Sequence, residues 1–349
     1  MEQHSEQVSE ISTRVEAFYH WRDIPVRRRS YLSLDSGAYI YIFDKKTGSD
    51  LVRQIISGSS VKRKLAATTL SLIRRLPQVA HIVPSIGEIA WTLPEHGPPE
   101  LVIGKNRRII LININAGTVT KLPKNDPGQV KREIDVRGSL PQLDVMPAVI
   151  ESNSEYPFLT EEFISGTSPQ MGLSSWNHMV RALEQLQPIY TRERKPLETN
   201  TVVSRLEETD DTTERLSSAI KKYEIPDWIY RSRVHRDLTP RNIVLADDLR
   251  VIDWESSRID FTYVDIYNWL QAIAVDQENP ALFVNLVQNT GEAGIVHQAS
   301  YAALDGLMTD GDPPHTGLPL VYLLTEYAES RDGVYDQIRP FIHDVLDLL

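Results

Sequence analysis

The sequence predicts an α+β protein in which a small strand-rich lobe precedes a larger helical one. Three observations carry this prediction. Between Glu100 and Pro123 three short apolar runs, ELVIG, IILINI and TVTKLP, alternate with turn residues, the pattern of a β meander. From Ser174 onward apolar residues recur at helical spacing. The Pro- and Gly-dense stretch LPEHGPPE, Leu93 to Glu100, interrupts regular structure and separates both from what precedes them. A length of 349 residues fits two or three lobes. The expected division is an N-terminal α/β extension over 1–95, a strand-rich lobe over 96–165 and a helical lobe over 166–349.

The extension opens with Ile11, Val15, Phe18 and Tyr19 on one face of a helix. The strand-like runs YLSL and AYIYIF follow, then the polar turn DKKTGSD. In the next segment Val61, Leu65, Thr69, Leu72, Ile73 and Leu76 share one side of a helix with Arg63, Lys64, Arg74 and Arg75 on the others. A basic amphipathic helix over 59–77 suits packing on a neighbour, or peripheral contact with a membrane surface or glycolipid. After the meander, PGQVKREIDVRGSL reads as a helix and FLTEEFI as a strand. WNHMVRALEQL then places Trp176, Met179, Val180, Leu183 and Leu186 on one helical face, and DIYNWLQAIAV, LPLVYLLTEYA and YDQIRPFIHDVLDLL continue the helical lobe.

Composition narrows the function classes. With no cysteine, disulfides, thiolate metal sites and a cysteine nucleophile are excluded. No run approaches the roughly 20 apolar residues of a membrane-spanning helix, and the polar, acidic opening is not a secretory signal, so the cytoplasm is the expected compartment. The net charge is −11. Residues 1–95 hold 13 Lys/Arg against 10 Asp/Glu, which leaves 24 against 38 for 96–349. That acidity argues against nucleic acid as a partner.

The segment VHRDLTPRNIVL carries the chemistry. His235, Asp237 and Asn242 stand at H-x-D-x4-N spacing, and Asp253 follows Asn242 by eleven residues. The intervening IVLADDLRVID reads as two short strands around a turn at 246–249, a hairpin that folds Asp253 back beside Asn242. An amide oxygen and a carboxylate converging in this way suit a hard cation such as Mg2+. Asp237, on the loop before the hairpin, can accept a proton from a hydroxyl, and phosphoryl transfer needs these parts. From ordinary residue frequencies the four positions coincide in about one chain of this length in a thousand.

At these residues HRDLTPRNIVL…VIDWE resembles the catalytic core of the aminoglycoside phosphotransferase and choline kinase-like family, the small-molecule branch of the protein-kinase-like fold. The resemblance implies a bilobal kinase-like architecture, ATP as donor with GTP as the alternative, and a small-molecule or glycan hydroxyl as acceptor. It implies that Asp237 is the catalytic base, that Asn242 and Asp253 hold Mg2+, that His235 braces the loop, and that Asp265 in FTYVDIYNWL ties the loop down. It also implies a Lys on the third strand paired with a Glu on the next helix, here Lys121 and Glu133, with Lys124 and Glu151 as the competing choices. FLTEEFISG would then be the hinge strand, its backbone at Glu161, Glu162 and Phe163 meeting the adenine.

One departure is clear. In place of a glycine-rich phosphate loop, the candidate turns hold only Gly104 and Gly117, which counts against a protein kinase and leaves Lys105 and Asn106 as the phosphate-facing backbone. The alternative to an enzyme is a catalytically silent kinase fold used as a binding or regulatory module. In the helical lobe TDGDPPHTG reads either as a solvated acidic loop or as a source of acceptor-facing residues in Asp310, Asp312 and His315, whereas His178 and His297 fall in helical patterns and read as packing or surface residues.

Overall fold

The computed structural model describes residues 2–35, 40–43, 86–104, 107–190, 193–197, 211–223, 225, 227–305, 317–330 and 338–349. The basic segment 59–77, Lys105, Asn106, Asp310, Asp312 and His315 lie outside them. The chain forms a strand-rich and a helical unit, a protein-kinase-like α+β architecture. Unit 1 comprises Met1–Gly138 and Pro147–Ile164, and unit 2 comprises Ser139–Met146 and Ser165–Leu349.

Unit 1 is built on an eight-stranded sheet of order β3-β1-β2-β4-β5-β6-β8-β7. Its strands are β1 (Val26–Asp35), β2 (Ile40–Phe43), β3 (Ile86–Pro94), β4 (Leu101–Gly104), β5 (Arg108–Asn113), β6 (Thr118–Pro123), β7 (Val149–Asn153) and β8 (Phe158–Glu162). The meander read from sequence is β4–β5–β6. The three strands before residue 95 belong to the same sheet, joined to it where β2 pairs antiparallel with β4 through Ile40↔Gly104 to Phe43↔Leu101. Both strands are buried at every position, which explains their unbroken apolar runs: a strand covered on both faces does not alternate.

Helix α1 (Glu2–Trp21) lays Ile11, Val15 and Phe18, each at most 2% exposed, against Ile42, Val102, Ile109, Leu111, Leu122 and Phe158. Each such side chain removed from water contributes roughly 1.5–3 kcal/mol. Gly104 makes the close approach possible, since a Cβ there would collide with Ile11 Cδ1. The glycine that sequence reading placed in a phosphate-loop turn thus admits α1 to the sheet. Helix α2 (Pro127–Ser139) starts with Pro at its first position, where no N–H is missed, and Asp126 Oδ1 accepts the Gly128 N–H at 2.8 Å.

Unit 2 is mostly helical: α3 (Trp176–Leu186), α4 (Asp211–Ile220), α5 (Val264–Asp276), α6 (Ala281–Val287), α7 (Gly291–Asp305), α8 (Leu318–Ser330) and α9 (Ile338–Leu348). Two small sheets accompany them, β13-β10-β9 from β9 (Glu193–Pro196), β10 (Trp228–Val234) and β13 (Arg258–Phe261), and the hairpin of β11 (Ile243–Leu245) with β12 (Leu249–Val251). Its core gathers Met179, Leu183, Leu186, Trp254, Trp269, Tyr267 and Tyr322. The segment 139–146 joins this unit: Val145 and Met146 are in its core, and the Val251 N–H donates to Val145 O at 2.6 Å. Among the described residues no helix is long and apolar enough to cross a membrane.

The Ile11–Gly104 contact makes a testable pair. Gly104→Ala should lower stability by about 1–3 kcal/mol through overpacking. Ile11→Val, which removes the colliding Cδ1, should make the double variant more stable than Gly104→Ala alone. Urea unfolding of the four chains checks this coupling.

Candidate active site

The loop from His235 to Asn242 joins β10 to β11, and its shape is set by one carboxylate. Asp265, in the first turn of α5 and fully buried, accepts the His235 N–H on Oδ2 at 2.9 Å and the Arg236 N–H on Oδ1 at 2.7 Å. The Tyr190 hydroxyl reaches Oδ2 at 3.4 Å. Burial raises the Asp265 carboxyl to about 6, against the two backbone hydrogen bonds and the Arg236 charge, which favour the anion.

His235 carries the constraint onward. Its buried ring holds Nε2 2.9 Å from Ile252 O, so Nε2 is the protonated nitrogen, and Nδ1 accepts the Asp237 N–H at 3.3 Å. The ring meets Trp254 edge to face at 4.7 Å, and Trp254 Nε1 donates to Val251 O at 2.9 Å. One neutral imidazole therefore spans the backbones next to Asp237 and Asp253.

Asn242 completes the cluster. Its Nδ2 donates to Asp237 O and to Asp237 Oδ2, both at 2.8 Å, which aims the carboxylate and turns the amide oxygen away as an acceptor. The hairpin register Ile243↔Val251 to Leu245↔Leu249 and the bond from Ile252 N–H to Asn242 O at 2.9 Å bring Asp253 back toward Asn242. Asp253 adopts the left-handed conformation, φ 68 and ψ 60, where a short polar side chain is tolerated better than a bulky one. On the hairpin's outer side Gly166 lies where a Cβ would collide with Leu245 O, and Thr167 exchanges backbone bonds with Leu245.

The donor chemistry fits Mg2+. The oxygens of Asn242 and Asp253 are hard ligands, and Mg2+ is usually held by one or two protein groups with phosphate and water oxygens completing the shell. Among the described residues no group of three or more His, Asp or Glu gathers in the manner of a protein-only metal site.

In unit 1, Lys121 on β6 is ion-paired with Glu133 on α2 and lies 2.9 Å from Glu161 Oε2. Arg137, one turn after Glu133, sets Nε 3.3 Å from Glu161 Oε1, and Arg108 reaches Glu133 at 3.8 Å. All five side chains are at most 7% exposed. Burial lowers the Arg137 guanidinium below its ordinary value, opposed by Glu161 and Glu133. The carboxylate of Glu161 thus belongs to this network. The backbone N–H groups of Glu162 and Phe163 donate to Ala148 O at 2.9 Å and Gly117 O at 2.8 Å.

Arg108, Arg137 and the inward turn of Glu161 were not read from the sequence. The available signals were an arginine opening the apolar strand RIILIN and an arginine four residues after Glu133, both marks of buried charge pairing.

The Asp265 carboxyl makes a pH prediction. Its folded value of about 6 exceeds the ordinary 3.8. The folded state therefore binds more protons than the unfolded state between about pH 4 and 6, and stability from this group falls as pH rises through that window, by about 3 kcal/mol in all. Asp265→Asn should remove that slope. His297 on α7 acts in the opposite sense, because burial lowers it from 6.5 to about 4, so its contribution is lost as pH falls through the same range. Urea unfolding at pH 4, 5, 6 and 7 should show the wild-type advantage over Asp265→Asn shrinking as pH rises.

Among solved structures the chain is similar to an aminoglycoside phosphotransferase, APH(2'')-Ib in its ADP-bound form, at 16% identity and a TM-score of 0.38, covering 68% of this chain and 83% of that one. It is also similar to the choline kinase LicA from Streptococcus pneumoniae, at 15% identity and a TM-score of 0.43, covering 70% and 89%. A third is an ethanolamine kinase from Plasmodium vivax, at 13% identity and a TM-score of 0.38, covering 85% and 96%. No curated protein matches by sequence. The model of the phosphotransferase enzyme family matches residues 119–307, more than half of the chain and a span that holds Lys121, Glu133, His235, Asp237, Asn242, Asp253 and Asp265. The chain belongs to the phosphotransferase enzyme family.

Proposed function

We propose that this protein transfers the γ-phosphoryl group of ATP to a hydroxyl of a small molecule or glycan, with Mg2+ and with Asp237 as the orienting base. The observation that carries the reading is the bond from Asn242 Nδ2 to Asp237 Oδ2 at 2.8 Å, on a loop anchored by buried Asp265. It directs one carboxylate oxygen and leaves Asn242 its amide oxygen, so the residue that aims the base can also bind a cation.

The residues divide the work. Asp237 accepts the hydroxyl proton and fixes the direction of attack, for which no covalent intermediate is needed. Asn242 and Asp253 supply the oxygens for Mg2+, which draws charge from the phosphate oxygens when bound. Lys121, held by Glu133, meets the phosphates as a fixed cation. The strand end at Glu161, Glu162 and Phe163 is the proposed adenine-facing segment. Because the N–H groups of Glu162 and Phe163 already have acceptors, a direct bond from either to the base would require one of those acceptors to be released. ATP is the proposed donor, with GTP as the competitor in the assay.

Two substitutions separate the roles. Asp237→Asn should cost on the order of 100- to 10,000-fold in turnover while ATP with Mg2+ still raises the melting midpoint, as a ligand of the native state must. Asp253→Ala should lose the Mg2+-dependent part of that rise. Equal Mg2+-dependent stabilisation in wild type and Asp253→Ala would remove the metal assignment. No response of the wild type to ATP, GTP or ADP would favour the silent-module reading.

A further inference from the structure

The residue before Asp237 is held more tightly than its place in the loop requires. Arg236 adopts φ 72, the left-handed region that a Cβ-bearing side chain enters at a cost. Its backbone is fixed at both ends by α5: the N–H donates to Asp265 Oδ1 at 2.7 Å and the carbonyl accepts from Asn268 Nδ2 at 2.6 Å. Its guanidinium is buried, with Nη1 2.6 Å from Glu326 Oε1 and Nε 3.4 Å from Asp260 Oδ2. Asp260 is shared with Arg258 at 3.1 Å, so two guanidinium groups face two carboxylates.

One of these holds comes from α8, and a second is supported from it. Glu326 grips the guanidinium directly, and Tyr322, one turn earlier, reaches Asn268 Oδ1 at 2.6 Å and so steadies the amide that holds the Arg236 carbonyl. Helix α8 begins at Leu318, beyond the end of the family match at 307. A buried ion pair contributes little net stability compared with an apolar replacement. What it supplies here is direction, because the peptide between Arg236 and Asp237 sets where the carboxylate points.

We propose that Glu326, acting through Arg236, is a positioning residue for Asp237, so that a helix beyond the residues matched by the family model fixes the geometry of the loop. This rests on the role assigned to Asp237 above. Glycine adopts φ near 70 without strain, so Arg236→Gly keeps the backbone shape available while removing the guanidinium that Glu326 and Asp260 face. If backbone shape alone mattered, Arg236→Gly would behave as wild type.

The test uses the full chain, with ATP and Mg2+ as the probe and water as the acceptor, in wild type, Glu326→Gln, Arg236→Gly and the double variant. Hydrogen–deuterium exchange of peptides spanning 234–242 is measured alongside. Either single substitution should lower kcat on the order of 100-fold, the scale of a misplaced reacting group. KM for ATP should change by no more than about twofold. Exchange should quicken in 234–242 while α5 and α7 keep wild-type rates. The double variant should lose no more than either single one, since both cut the same link.

Wild-type kcat and loop exchange in Glu326→Gln would overturn the proposal. So would additive losses, or exchange rising equally across unit 2, which marks general loosening. If Glu326→Gln fails to fold, the double variant, which removes both buried charges, carries the comparison with wild type. A wild type that neither binds nor hydrolyses ATP would sink the proposed function separately, while loop exchange in the variants would still decide whether Glu326 holds the loop.

Discussion

Asp265 holds two consecutive backbone N–H groups from a position with no access to water. Everything proposed for the reactive loop depends on that pair of bonds. They hold His235 with its ring toward Ile252 and Arg236 in a conformation it would not choose alone, and Asp237 leaves the loop in the one direction that meets Asn242. The cost is visible in the same carboxyl: burial raises it even as the hydrogen bonds and Arg236 favour its charge. The loop is held by a carboxylate whose charge burial disfavours.

Buried charge is used in two ways. In unit 1, Lys121 is compensated by two carboxylates, Glu133 and Glu161, each with an arginine of its own. The ammonium is thereby fixed from two elements, α2 and β8, and its direction does not depend on one side chain. In unit 2, Arg236 is held by four separate groups on α5, α8 and β13. In both places the geometry of one polar group is over-determined by charged partners that apolar packing could not replace, because packing alone does not fix the direction of a hydrogen bond.

Local spacing made the cluster around His235 and Asp237 legible. His235, Asp237, Asn242 and Asp253 are near neighbours in sequence, a short hairpin closes them together, and hairpin register follows from turn length. Lys121 and Glu133 were reached through the family resemblance, which looks for a Lys on the third strand and a Glu on the next helix, and the two are ion-paired. The partners that steady them were not legible. Glu161 lies on β8, which pairs with β6 across an intervening helix and strand, and period-two alternation shows that residues share a face without showing what occupies it. Gly104 read as a loop glycine because its reason, Ile11, stands 93 positions earlier on α1. The run of residues 139–146 that joins unit 2 has no periodic signature at all. What failed to show in the sequence is long-range contact, which no local pattern encodes.

The pairing of β2 with β4 bears on how this protein can be handled. The first strand of the meander has neighbours on both sides, and the face of the sheet around Ile109, Leu111, Leu122 and Phe158 lies under α1. A chain trimmed to begin after residue 95 would present a naked strand edge beside an uncovered apolar face, the combination that templates aggregation. The amino-terminal strands are therefore no detachable appendage.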